Sequence, residues 1–264
     1  MSQALATLSY QGEERQVRWQ GHALTGGSAF GSFMQNDVAA RLNDEEGATE
    51  FESHLRSLSL TEFGSESLET VLSANSPEER DWAVGEAMAE AWLEKEHQVI
   101  WPWNMERDKR NANASLPGAD LVGFVRNSSE TRLVLGEVKA SKQEQFPPNV
   151  LYGRSGMIHQ IDKLAADLKV INTLLKWLLP RCKNTDYETY FNAAVTLYFN
   201  SGNKAVTLFG VLIRDTTPNE NDLNGRGKTL GETITSPTTC TLLGLYLPCK
   251  IAQLPEMVKG GGAS

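Results

Sequence analysis

Cysteine is scarce in this sequence. Cys182, Cys240 and Cys249 are the only three among 264 residues, and no CxxC pair occurs. An odd, dispersed set suggests neither a disulfide framework nor a zinc knuckle, so these read as reduced thiols. Long apolar runs are missing too. No stretch reaches the roughly 18 residues a membrane-spanning helix needs. Nor does the N-terminus carry a basic region, an apolar run and a small-residue cleavage site. A soluble, cytoplasmic protein without a membrane partner is therefore expected. Positive charge is also in deficit, with 25 Lys and Arg against 33 Asp and Glu, a net charge of −8. A chain that grips a phosphate backbone unaided usually presents a basic surface. Any nucleic-acid contact is thus expected to be small and metal-centred, or supported by a partner subunit. Two further motifs are incomplete. Gly227-Lys228-Thr229 ends like a phosphate-binding loop, but Asp222 stands where its first glycine belongs. Gly153-Arg154-Ser155-Gly156-Met157 lacks the second glycine of a nucleophile elbow. ATP binding and serine-hydrolase chemistry are both disfavoured.

With 40% apolar and 22% charged residues, the chain has the composition of a globular protein able to bury one main core. Residues 1–75 alternate short apolar pieces with Gly, Ser and acids. They read as an N-terminal region with a small hairpin (Leu8–Tyr10, Gln16–Trp19) and a partner-docking role. Ser76-Pro77-Glu78-Glu79 combines a cap, a first-turn proline and early acids, predicting a helix over 77–96 that carries Glu86. Val99-Ile100-Trp101 reads as a short strand and 104–118 as a polar loop. Asp120–Val125 and Arg132–Val138, parted by Arg126–Glu130, read as a hairpin. From Ser155 to Leu179, Ile158, Ile161, Leu164, Leu168, Ile171, Leu175 and Leu178 recur at helical spacing, with Pro180 as the expected stop. Ala193–Phe199 and Val206–Ile213, joined by Asn200–Asn203, read as a second hairpin. The expected fold is α/β, a mixed central sheet flanked by helices over 76–259, and 260–264 reads as a flexible tail.

If the first hairpin turns about Ser128 and Ser129, paired residue numbers sum to 257, and Asp120 lies opposite Glu137. Directly paired residues have Cβ atoms roughly 5 Å apart, so both carboxylates can reach one ion. Strand alternation puts Lys139 on the same face and Val138 on the other. Two adjacent carboxylates repel unless a cation lies between them. Mg²⁺, with Mn²⁺ as substitute, takes oxygen ligands of this kind together with phosphate oxygens. In that reading Asp120 and Glu137 are metal ligands, and the ion polarises a phosphodiester and acidifies a water. Lys139 orients or deprotonates that water and offsets transition-state charge. Glu86 is a candidate further metal ligand, and Gln160 a candidate contact to phosphate or water. Each also has a plainer reading as a solvated helix residue. Glu-x-Lys alone is weak, occurring about once by chance in a chain this long. Here it ends an apolar strand opposite an aspartate.

The segments Pro117-Gly118-Ala119-Asp120 and Gly136-Glu137-Val138-Lys139 resemble the second and third motifs of the PD-(D/E)XK nuclease superfamily, flanked by a Glu-bearing and a Gln-bearing helix. The likeness spans about residues 77–213. With Gly153–Lys163 included, the chain resembles the HamA nuclease subunits of Hachiman anti-phage defence systems. That resemblance implies a restriction-endonuclease-like core and metal-dependent DNA cleavage. It also implies a helicase partner, HamB, that restrains the nuclease until infection or damaged DNA is sensed. The competing expectation is a catalytically silent scaffold of the same fold that docks a helicase and senses DNA. Metal-independent acid–base hydrolysis by the two carboxylates is a third, and predicts activity in EDTA. Arg107, Lys109 and Arg110 are candidate phosphate contacts, or a solvated loop. His159 reads as a surface or capping group, and Trp82, Trp92, Trp101, Trp103 and Trp177 as core.

Overall fold

The computed structural model describes residues 4–58, 61–73, 83–108 and 118–259. In chain order, β1 (Ala6–Glu14) and β2 (Val17–Leu24) form an antiparallel hairpin. Next come α1 (Ser28–Ser32), a π-helical stretch (Phe33–Val38) and α2 (Ala39–Leu42). Then follow α3 (Glu45–Leu58), α4 (Glu62–Ser73), α5 (Ala83–His97), β3 (Val99–Ile100) and α6 (Met105–Asp108). β4 (Leu121–Arg126) and β5 (Thr131–Ser141) make a second hairpin. After α7 (Met157–Ala166), α8 (Leu168–Cys182) and α9 (Glu188–Asn200) comes β6 (Val206–Arg214). α10 (Asn224–Thr233), β7 (Thr239–Tyr246) and α11 (Leu254–Lys259) end the described chain.

The seven strands form one sheet in the order β1-β2-β7-β6-β5-β4-β3. Its four central strands, β2, β7, β6 and β5, run parallel, while β1, β4 and β3 pair antiparallel to their neighbours. β5 and β6 are buried along nearly their whole length, as parallel strands covered on both faces must be. Register partners share a face, so a few contacts sort the helices. α7 seats Met157 and Ile161 on Gly210, where a Cβ would fall 2.6 Å from Ile161 Cδ1 and 2.9 Å from Met157 Sδ. Tyr190 of α9 stacks on Phe124 of β4, on that same face. α5 packs on the opposite face, with His97 against Phe209 and Gly85 near Ile213.

α5 is apolar almost all round, burying Ala87, Met88, Ala91, Trp92 and Leu93 between the sheet and the segment from Phe30 to Leu42. Its one fully buried acid, Glu90, accepts from Arg41 Nε of α2 at 2.7 Å. Arg41 also donates through Nη2 to the Trp103 carbonyl at 2.7 Å. This pair ties the N-terminal segment to the sheet, so residues 4–42 share the core of the site-bearing strands.

The first hairpin has the expected register, with Leu121 opposite Gly136 and Val122 opposite Leu135. The helix start at Ser76-Pro77 and the proposed contacts Lys109 and Arg110 lie outside the described residues. Three expectations are corrected. The apolar run ending at Leu179 is two helices, because Asp167 is extended and caps α8, accepting from the Lys169 and Val170 amides at 2.9 and 3.3 Å. Pro180 lies within the last turn of α8, which continues to Cys182 and closes through the Lys183 amide on the Leu179 carbonyl at 2.9 Å. Ala193–Phe199 is not a strand but part of α9. Phe191, Ala194 and Tyr198 are its buried stripe, and Asn200–Asn203 is the turn that ends it, with Gly202 and Asn203 at φ 71° and 65°.

Candidate active site

Asp120 stands one residue before β4, tied in register by its own amide, which donates to the Gly136 carbonyl at 3.0 Å. That pairing aims its side chain at the α7 face of the sheet, beside Glu137 of β5. Asp120 Oδ2 then accepts from the Val138 amide at 2.8 Å, which fixes the carboxylate against the neighbouring strand. Two residues on from Glu137, Lys139 occupies the same face and donates from Nζ to Glu137 Oε1 at 2.5 Å. Glu137 is only 7% exposed. Lys139 is a quarter exposed, so the trio forms a shallow site with a buried acid at its base. Gly118, at φ +99°, sets the entry to β4 and lies against Val170 of α8, while Met157 of α7 covers Gly210, the register partner of Glu137.

The electrostatics follow from this crowding. Burial, the adjacent Asp120 charge and a hydrogen bond that the protonated Glu137 carboxyl donates to Asp120 raise Glu137 from its ordinary 4.5 to about 7, against the opposing pull of Lys139. A carboxyl so disfavoured as an anion, touching a second carboxyl, is a donor set that a divalent cation fits. The ion supplies the positive charge both oxygens need, and Lys139 supplies only one. The residues capable of holding it are Asp120 and Glu137.

The other predicted site residues have contacts of their own. α5 places Glu86 on the opposite face of the sheet, near the carboxyl end of β6. Among the described residues no group of three His, Cys, Asp or Glu side chains converges as a metal cluster. Gln160 lies on α7, and its Nε2 donates to the Arg154 carbonyl at 2.8 Å, securing the turn before the helix. Arg107, half-exposed, is engaged by acids, with Asp44 at 3.3 Å and Asp108 at 3.2 Å.

No family model matches this chain, and no curated protein matches it. The site is therefore read from its own geometry. Sequence reasoning did not find the Val138 amide that holds Asp120, because a backbone donor has no residue signature. The incomplete loop at Gly227 also has a structural account. Those residues belong to α10, and Asp222 is fully buried, accepting from the Tyr246 hydroxyl at 2.9 Å and facing Arg214 at 3.6 Å.

Proposed function

We propose that this chain is a Mg²⁺-dependent DNA nuclease of the PD-(D/E)XK type, working in an anti-phage defence complex under the control of a helicase partner. The observation that carries the reading is the contact between Asp120 and Glu137, with Lys139 on the same face. The order of elements supports it: a helix (α5), three antiparallel strands (β3, β4, β5), a helix (α7) and a strand parallel to β5 (β6). With α6 interposed before β4, and α8 and α9 before β6, this order is compatible with the restriction-endonuclease-like core we propose. When bound, Mg²⁺ supplies Lewis acidity toward a phosphate oxygen.

The chain's own residues account for the rest. Asp120, pinned by the Val138 amide, and Glu137, pinned by Lys139, present two fixed oxygens without reorganisation. The Lys139 ammonium stands at the open side of the pair, where it orients the attacking water and offsets negative charge growing on the phosphate. Water exclusion at Glu137 strengthens each of these interactions. The net charge of −8 favours a reading in which a partner supplies most of the DNA grip.

The test is cleavage of linear and supercoiled DNA by the wild-type chain and by a Glu137→Ala, Lys139→Ala double variant, in Mg²⁺ or EDTA, with and without a helicase. Metal-dependent cutting lost in the variant is the expected result. Cutting that survives in the variant overturns the assignment, and absence of cutting in every condition favours the silent scaffold.

A further inference from the structure

The nuclease reading leaves open which form of DNA reaches the centre, and the rim of the site bears on that. Tyr152 is 42% exposed, an uncommon setting for a large aromatic side chain next to Leu151, which is 1% exposed. The turn that presents it is tightly closed. Gly153 sits at φ +73°, and the Gly156 amide donates to the Gly153 carbonyl at 3.1 Å. A Cβ on Gly156 would fall 2.2 Å from the Tyr152 carbonyl oxygen, so the turn closes only with glycine there. Buried Leu151 and Met157 anchor the two ends of the turn.

Over the Tyr152 ring lies the Arg226 guanidinium, from the first turn of α10, with its carbon 4.1 Å from the ring centroid. Each helix is reached from the carboxyl end of a parallel strand through a loop with one 3-10 turn, α7 from β5 and α10 from β6. Both N-termini therefore flank the carboxyl edge of the sheet, toward which Glu137 and Lys139 lie. Met157, five residues after Tyr152, rests on the register partner of Glu137. Lys142 and Arg154 lie on the same edge, both exposed. Neither of them, nor Arg226, forms an ion pair among the described residues, although acids outnumber bases in the chain. Unpaired cations around an exposed, guanidinium-backed aromatic ring suit a chain of phosphates carrying a free base face.

We propose that Tyr152 and Arg226 form a stacking platform for an unpaired base of single-stranded DNA, with Arg154 and Lys142 on flanking phosphates. This inference rests on the nuclease reading for its direction of approach to Glu137 and Lys139. A base inside a duplex has both faces covered by its neighbours, so only an unpaired or terminal base can use such a ring. Stacking is tolerant of base identity, so the platform selects strand form rather than sequence.

The experiment is equilibrium binding of a short oligothymidylate and of a matched blunt duplex to the full chain. Ca²⁺ replaces Mg²⁺, and cleavage in Mg²⁺ is followed in parallel. Tyr152→Ala is expected to weaken oligothymidylate binding about 5- to 150-fold, the range for loss of one stacked base, while duplex binding is unchanged. Tyr152→Phe and Tyr152→Trp keep the affinity, and Arg154→Ala lowers the salt slope by about 0.7. Wild-type affinity in Tyr152→Ala, an equal loss on the duplex, failure of Phe to restore binding, or no oligothymidylate binding by the wild type would each overturn the platform. Oligothymidylate binding through Tyr152 with no cleavage in Mg²⁺, with or without a helicase, would instead remove the nuclease reading and leave the platform standing.

Discussion

Glu137 is the residue whose environment is most sharply defined, and its linkage to pH has a calculable sign. Its folded carboxyl titrates at about 7 and its ordinary value is 4.5. Between those values the folded chain holds a proton that the unfolded chain releases. Stability from this group is therefore complete below about 4.5 and is lost as pH rises toward 7, on the order of 2–3 kcal/mol. Thermal unfolding in EDTA is expected to show this decline, and Glu137→Gln to flatten it. Mg²⁺ is expected to stabilise the wild type more at pH 8 than at pH 5.5, because the anion is the form that binds it. An equal effect at both values would count against Glu137 as a ligand. For Lys139→Ala, the expected change is a loss of cleavage of at least about 100-fold with little change in Tm, read by single-turnover kinetics and thermal unfolding. The Asp120–Glu137–Lys139 set was legible from the sequence because hairpin register and strand alternation are arithmetic. Glu86 and Gln160 were not resolved that way, since helix placement relative to a sheet depends on packing.

At the level of elements, two contacts decide how the site is held. Arg41 and Glu90 form a buried pair between α2 and α5, so Arg41→Ala leaves Glu90 without its guanidinium partner. A loss of about 3–5 kcal/mol is expected in denaturant unfolding, and Arg41→Met with Glu90→Leu is expected to recover much of it. Gly210 lets α7 approach β6 beside Glu137. Gly210→Ala is expected to cost about 1–3 kcal/mol through overpacking against Ile161, Leu242 and Met157, and to lower cleavage further by shifting α7. Unchanged activity in that variant would show that α7 has no part in holding the site. Helix and strand were confused in the sequence at Ala193–Phe199. A short apolar run fits both periods, and only its contacts with β4 and β5 made it a helix.

For the whole molecule, the charge balance leads to a kinetic expectation. If a helicase supplies the DNA grip, adding it should lower KM far more than it raises kcat, and should reduce the salt sensitivity of cutting by the chain alone. Steady-state kinetics at two salt concentrations distinguish this from a partner that switches on the chemical step. The local features were written in the sequence itself: the β4–β5 register, the shared face of Asp120, Glu137 and Lys139, the helical stripes and the excess of acid. Each depends on neighbours a few residues apart, or on a sum over the chain. What only the tertiary structure decided was long-range. Burial raised the Glu137 carboxyl, and α5 and α7 were assigned to opposite faces. The N-terminal hairpin joined β7, and Tyr152 met Arg226 across 74 positions of sequence. The physical reason is that side-chain periodicity specifies which face is apolar, whereas the choice of the surface that covers it belongs to the packing of the whole chain.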